Sequence, residues 1–122
     1  MSEHGFWPLE LQSSLHDGYR RVFRVAGQEL LLLQQAGQLH LLESTCPHAG
    51  YPLQEGKLIG EALRCPMHGY LFELHSGACT YSTEGPCRGL YRYALSTEGV
   101  QVGVQLPLQP LQSGPFQTGK GT

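Results

Sequence analysis

Apolar and polar positions along this chain change rhythm often, and every stretch of one rhythm is short. From Phe6 to Leu11 the two kinds of residue roughly alternate, which predicts an edge strand. Arg20 to Val25 is short and partly β-branched, a second strand. Gln28 to Gln34 carries four consecutive leucines. Leucine suits a helix, but the run spans about seven residues between Gly27 and Gly37, which favours a buried strand. Gln35-Ala36-Gly37-Gln38 is a turn candidate, and Leu39 to Glu43 follows it, so this region reads as a meander or a pair of hairpins. Residues 44–52 form a loop, and 53–61, with Gly56 and Gly60, read as irregular. Ala62 to Cys65 predicts a short strand entering a second loop, and Tyr70 to Leu74 a strand leaving it. His75-Ser76-Gly77 reads as a tight turn. Leu90 to Leu95 and Gly99 to Val104 flank Ser96-Thr97-Glu98 and predict a hairpin turning there.

From Gln105 the rhythm is lost. Three prolines and several glutamines predict an extended, polyproline-like tail that lies against the domain or hangs free. The expected division is a domain over 1–104 and a Pro/Gln-rich tail over 105–122. There is no internal repeat.

Composition supports many short strands. The 122 residues suit one compact domain, and 16 glycines and 8 prolines interrupt them too often for long helices. An all-β fold is expected. The net charge of -2 and the absence of a Lys/Arg-rich run exclude a nucleic-acid-binding surface. The longest fully apolar run, Leu30 to Leu33, excludes a membrane helix. The N-terminus has no basic segment followed by an apolar core, so a signal peptide is not expected and a cytoplasmic location is the default.

Four cysteines in such a protein point to metal or redox chemistry before disulfides. Two of them have histidines in ligand register, in Cys46-Pro47-His48-Ala49-Gly50 and Cys65-Pro66-Met67-His68-Gly69. The pattern is Cys-x-His, sixteen residues, then Cys-x-x-His. Each segment offers one thiolate and one imidazole from a loop closed by glycine, where the backbone can bend and its N–H groups can point at sulfur. Two such loops facing each other bring four ligands to one place. Thiolates select zinc, copper(I) or iron–sulfur clusters, and imidazole suits zinc, copper and iron.

These two segments resemble the loops of the Rieske ferredoxin family. Phe72, the Ser76-Gly77 turn and Gly85-Pro86, which is similar to the family's proline loop, extend the resemblance over roughly residues 6 to 104. The resemblance implies a fold of three small antiparallel sheets with one [2Fe–2S] cluster per chain at the tip of two loops. It implies that Cys46 and Cys65 hold one iron and that His48 and His68 hold the other, each through one ring nitrogen, with the second nitrogen near the surface. Two ferric ions, two sulfides and two thiolates sum to zero, so an added electron meets a neutral centre and the potential lies above that of all-cysteine clusters.

The respiratory-chain branch of the family adds a cysteine to each loop and a short hydroxyl near the sulfurs. Tyr51 and Met67 stand at the first pair of places, and Tyr70 and Phe72 correspond to the second. With neither device, the pattern resembles the ferredoxins that serve ring oxygenases, or the small subunits of nitrite reductases. The expected function is therefore a one-electron carrier between a reductase and a terminal oxygenase, with no substrate chemistry of its own, since no two-His, one-carboxylate iron site is in evidence. A small subunit of a larger oxidoreductase and a zinc-stabilised interaction module are the alternatives. Classical zinc fingers pair Cys-x₂₋₄-Cys with His-x₃₋₅-His, which is not the pattern here. Partner identity and oligomeric state are not encoded in these motifs.

The other chemistry-bearing residues have plain readings. Cys79 and Cys87 read as half-buried cysteines, with a disulfide or second metal pair as alternatives. His4, His16, His40 and His75 read as surface or packing residues, and Trp7 as a core or edge anchor. Pro47, Ala49, Gly50, Pro66, Met67 and Tyr70 surround the expected cluster, either as a shield or as a dry contact patch for redox partners.

Overall fold

A computed structural model describes residues 5–48, 50–67 and 69–111. Ala49, His68, His4 and the tail beyond Leu111 lie outside the described residues.

Eleven antiparallel strands are described in three small sheets. In the first sheet, β11 (Gln101–Leu106) lies between β1 (Gly5–Leu11) and β10 (Ser96–Glu98). The second runs β2 (Arg20–Val25), β3 (Gln28–Gln35), β4 (Gln38–Glu43), β9 (Arg92–Tyr93). The third runs β5 (Lys57–Ile59), β6 (Ala62–Arg64), β7 (Leu71–Glu73), β8 (Cys79–Tyr81). The all-β expectation holds, as does the meander over 20–43 with its turn at Ala36-Gly37.

The four leucines of β3 organise the interior. Leu30 to Leu33 are all fully buried. Because side chains alternate across a strand, Leu31 and Leu33 face one core and Leu30 and Leu32 the other. The first core joins Leu42, Leu53, Leu63, Phe72, Leu74 and Leu90 to Cys46 and Cys65. The second joins Val25, Leu41 and Tyr93 to Val104 and Leu106 of the first sheet, with Trp7 packed against it. Strand β3 is therefore covered on both faces and paired on both edges, which is why its sequence is a continuous apolar run. Each of these leucines contributes roughly 1.5–3 kcal/mol of burial.

Three expectations need correction. The hairpin near residue 97 turns at Gly99-Val100, and Ser96-Thr97-Glu98 is itself strand β10, paired with β11. The 90–95 segment supplies β9, which pairs with β4 in another sheet. Residues 53–61 contain a turn of 3-10 helix at Leu53–Glu55 and strand β5. At the start of the expected tail, Gln105 and Leu106 belong to β11, Pro110 bridges to Tyr93, and the Leu111 N–H donates to the Arg92 carbonyl at 2.7 Å.

Candidate iron–sulfur site

The two motif loops are closed in the same way. The Cys46 N–H donates to the Tyr51 carbonyl at 2.9 Å, and the Cys65 N–H donates to the Tyr70 carbonyl at 2.8 Å. Each cysteine thus bonds the residue five places on, so the two loops repeat one another although their histidines sit at different offsets. Gly50 and Gly69 both have positive φ, 70° and 72°, as expected of glycines that bend a loop back on itself. The Gly50 N–H also donates to the Cys46 carbonyl at 2.7 Å, and the Thr45–Pro52 bridge seals the base of the first loop.

The loops bring Cys46 and Cys65 together. The two cysteines are 1% and 0% exposed and carry free thiols. Burial pushes the Cys65 thiol up to about 11, and the Cys46 thiol beside it, within hydrogen-bonding contact, pushes the same way. The Met67 N–H, which bonds the Cys65 sulfur, opposes them. This is a backbone donor aimed at sulfur, as the loop glycines suggested. Burial thus keeps the Cys65 thiol protonated on its own, and a bound cation reverses that balance.

His48 follows Cys46 by two residues in the first loop. Its Nδ1 is buried, while its Nε2 lies 2.9 Å from Glu84 Oε1 at the surface. Its ring stacks on Tyr70, with centroids 4.4 Å apart and planes 14° from parallel. His68 lies outside the described residues, so its expected place beside His48 is not seen. Among the described residues, no three His, Cys, Asp or Glu side chains converge on a point fit for one metal ion. The donors that are seen fit a cluster with a thiolate side and an imidazole side: two touching buried thiols, and an imidazole with one buried and one outward nitrogen.

The surroundings correct one expectation and extend others. Tyr70 is 1% exposed, so it is not part of a surface patch, whereas Met67, in the second loop, is 40% exposed. The Tyr70 hydroxyl accepts the Glu84 N–H at 3.0 Å. Phe72 is fully buried in the core behind the cysteines. Cys79 and Cys87 are free, half-buried thiols packed on that core, within hydrogen-bonding contact of each other. Burial, with Cys79 beside it, pushes the Cys87 thiol up to about 12. His75 meets Glu61 at 3.0 Å and His40 edge-to-face, away from the motif loops. Glu84 was not singled out from sequence, and neither was Arg88, which holds Glu43 through two bonds of 2.7 and 2.9 Å. A shallow cavity of about 260 Å³ opens over Pro47, His48, Pro86, Cys87 and Arg88.

A small three-sheet β domain with paired cysteine–histidine loops defines a class of iron–sulfur electron-transfer modules. Residues 6–94 match the family model described as the Rieske [2Fe-2S] domain, and the chain belongs to that family, whose cofactor is a [2Fe–2S] cluster. The chain is similar to ferredoxin CarAc of Metapseudomonas resinovorans, at 38% identity over 58 residues, 48% of this chain and 54% of that one. It is similar to apoptosis-inducing factor 3 of Homo sapiens at 31% identity over 98 residues, 80% of this chain but 16% of that protein. The chain thus spans about one sixth of the length of the first curated relatives. Among solved structures, the ferredoxin of carbazole 1,9a-dioxygenase from Nocardioides aromaticivorans IC177 matches with a TM-score of 0.70 at 20% identity, covering 84% of this chain and 98% of that one. The Sphingomonas yanoikuyae B1 ferredoxin matches with a TM-score of 0.72 at 21% identity, covering 84% and 99%. At these identities the structural likeness speaks for the fold. Among the described residues no helix is long and apolar enough to cross a membrane.

Proposed function

We propose that this chain is a cytoplasmic one-electron carrier that takes electrons from a reductase and gives them to a terminal oxygenase. Its cluster is held by Cys46 and Cys65 on one iron and by His48 and His68 on the other. The observation that carries this reading is the meeting of the Cys46 and Cys65 thiols at the bases of two matching loops, with His48, its Nδ1 buried, two residues beyond Cys46 in the first loop. The Cys65-x-x-His68 register supplies the fourth ligand. When bound, the cluster accepts and returns one electron. The chain's own residues hold the thiols out of water, aim the Met67 N–H at the Cys65 sulfur, and keep Nε2 of His48 at the surface. Electrons reach a partner most directly through that histidine edge, where the cavity over Pro47 and Pro86 opens. The likeness to CarAc and to the ferredoxins of dioxygenase systems supports an oxygenase as the electron acceptor. The chain does no substrate chemistry in this reading.

Protein purified from its native host should contain about two iron and two sulfide per chain and, once reduced, give the rhombic electron paramagnetic resonance signal of a Rieske centre. Reduced protein should be reoxidised rapidly by an oxygenase component prepared from the same cells. Stoichiometric zinc without sulfide would refute the reading. A second reading, as the iron–sulfur subunit of a larger oxidoreductase, draws on the greater length of the relatives. Stable co-purification with a large catalytic subunit would favour it.

A further inference from the structure

We propose that Tyr70 and Glu84 clamp the His48 ring, and that the Glu84 carboxylate on Nε2 holds down the reduction potential of the cluster. The inference rests on the reading of His48 as an iron ligand.

Three contacts build the clamp. The Tyr70 ring stacks on the His48 ring at 4.4 Å and fixes its plane. Tyr70 is itself fixed, being buried in the core with its carbonyl bonded to the Cys65 N–H. Its hydroxyl accepts the Glu84 N–H at 3.0 Å, which brings the 82–86 loop over the histidine. Glu84 Oε1 then meets His48 Nε2 at 2.9 Å. The loop has anchors of its own. The Ser82 hydroxyl donates to the Gly85 carbonyl at 2.8 Å, and Arg88 is bound to Glu43 of β4. One tyrosine therefore touches the ring and also positions the residue that caps its far nitrogen.

The chemistry follows from which nitrogen faces where. With the buried Nδ1 taken as the nitrogen that binds iron, Nε2 carries the N–H and donates it to the carboxylate 2.9 Å away. A carboxylate in that place increases the electron density the imidazole gives to iron, as carboxylates hydrogen-bonded to the free nitrogen of a metal-bound histidine do generally. That favours ferric iron and opposes the incoming electron. Glu84 is 56% exposed, so solvent screens its charge and the effect is moderate.

The test is protein-film voltammetry of the cluster-loaded protein near neutral pH on Glu84→Gln, Glu84→Asp and Tyr70→Phe. Glu84→Gln keeps a hydrogen-bonding oxygen and removes the charge. At a fixed applied potential its reduced-to-oxidised ratio should rise roughly three- to tenfold, the upper end being about 59 mV for one electron. Glu84→Asp keeps the charge and should stay nearest the wild type. Tyr70→Phe keeps the stack but frees the 82–86 loop, so it should shift the same way by less. An unchanged midpoint in Glu84→Gln with full iron and sulfide would overturn the inference. So would loss of the cluster in Glu84→Gln with the fold retained, because the carboxylate would then hold the ring and not set its potential. Wild-type protein lacking sulfide and the rhombic signal would instead sink the ligand assignment, whatever the variants do.

Discussion

Replacing Gly77 by alanine should cost far more than its place in a short turn suggests, and the reason is local geometry. Gly77 has φ +81°, and a Cβ built there would stand 2.3 Å from the Leu90 carbonyl oxygen. The same glycine is held from both sides, since its N–H donates to the Glu73 carbonyl and its carbonyl accepts the Leu90 N–H, each at 2.7 Å. Alanine therefore forces residues 89–91 away. Left-handed backbone costs about 1 kcal/mol for a residue with a Cβ, and a lost buried hydrogen bond about another. Leu90 is 3% exposed in the cysteine-bearing core, and its displacement adds roughly 1–2 kcal/mol. The sum is about 3–4 kcal/mol. Gly50→Ala is the internal control: it shares the positive φ, +70°, but nothing lies within 4 Å of its added Cβ, so it should cost about 1 kcal/mol. At about 4 °C per kcal/mol for a domain of this size, the two unfolding midpoints should differ by roughly 8–12 °C. Circular dichroism at one scan rate, with absorbance of the bound cluster as a second signal, reads both. Because Leu90 shares a core with Cys46 and Cys65, Gly77→Ala should also lose its cluster at lower temperature. If Gly77→Ala unfolds within about 1 kcal/mol of Gly50→Ala, the carbonyl contact does not have the weight given to it.

Other outcomes follow from the same contacts. Cys46→Ser or Cys65→Ser should abolish the Rieske signal, whereas Cys79→Ser should leave it intact; loss of signal in a folded Cys79→Ser would move the ligand assignment. The wild-type potential should lie near the low end of the Rieske range, roughly −150 to −50 mV, because neither place near the sulfurs carries a short hydroxyl: the Tyr70 hydroxyl lies at Glu84, whose N–H it accepts, and Phe72 has none; voltammetry above about +100 mV would contradict this. Burial, then the nearby His75 and Arg92, hold the His40 imidazole below its ordinary value, while Glu61 and Glu73 oppose this weakly. The unfolded chain then binds the extra proton first, so stability should fall as pH drops below about 6.5, and His40→Gln should flatten that slope in urea titrations. The Ser76 hydroxyl and N–H hold the Glu73 carboxylate below its ordinary value. Its contribution is full above pH 4.5 and is lost as pH falls through the depressed value, so Ser76→Ala should reduce the acid sensitivity measured below pH 4.5.

What could be read from sequence follows the depth of each element in the fold. Strands β2, β3 and β4 were legible because the middle one is buried on both faces and its neighbours must match it. The strands missed were β5, β8 and β10, each three residues long and each at the edge of its sheet. Three residues are too few for alternation to show, and an edge strand has one neighbour to satisfy. Ser96-Thr97-Glu98 is polar because β10 lies at an edge, and polarity alone made it look like a turn. Strand β1 is also an edge, but its seven residues gave the alternation room to appear.

The candidate site divides along a related line. Cysteines and histidines that share a loop keep a fixed spacing, because the loop must deliver thiolate and imidazole together, so Cys46, His48, Cys65 and His68 stood out as a pattern. Glu84 reaches His48 across 36 residues and Tyr70 across 14, from a loop whose own sequence shows only Gly85-Pro86. No periodicity links residues joined through tertiary structure. Tyr70 shows the difference most clearly. In sequence it is a bulky residue in the place of a short hydroxyl near the sulfurs, which reads as a hydrogen bond lost to sulfur. In the fold the hydroxyl is used, but on the backbone of Glu84, so the same substitution that withdraws a donor from the thiolate side supplies a positioning contact on the histidine side. Both changes make the added electron less welcome, the first by leaving sulfur charge less stabilised and the second by setting a carboxylate on Nε2. A Tyr70→Phe variant separates them, since it can alter only the second.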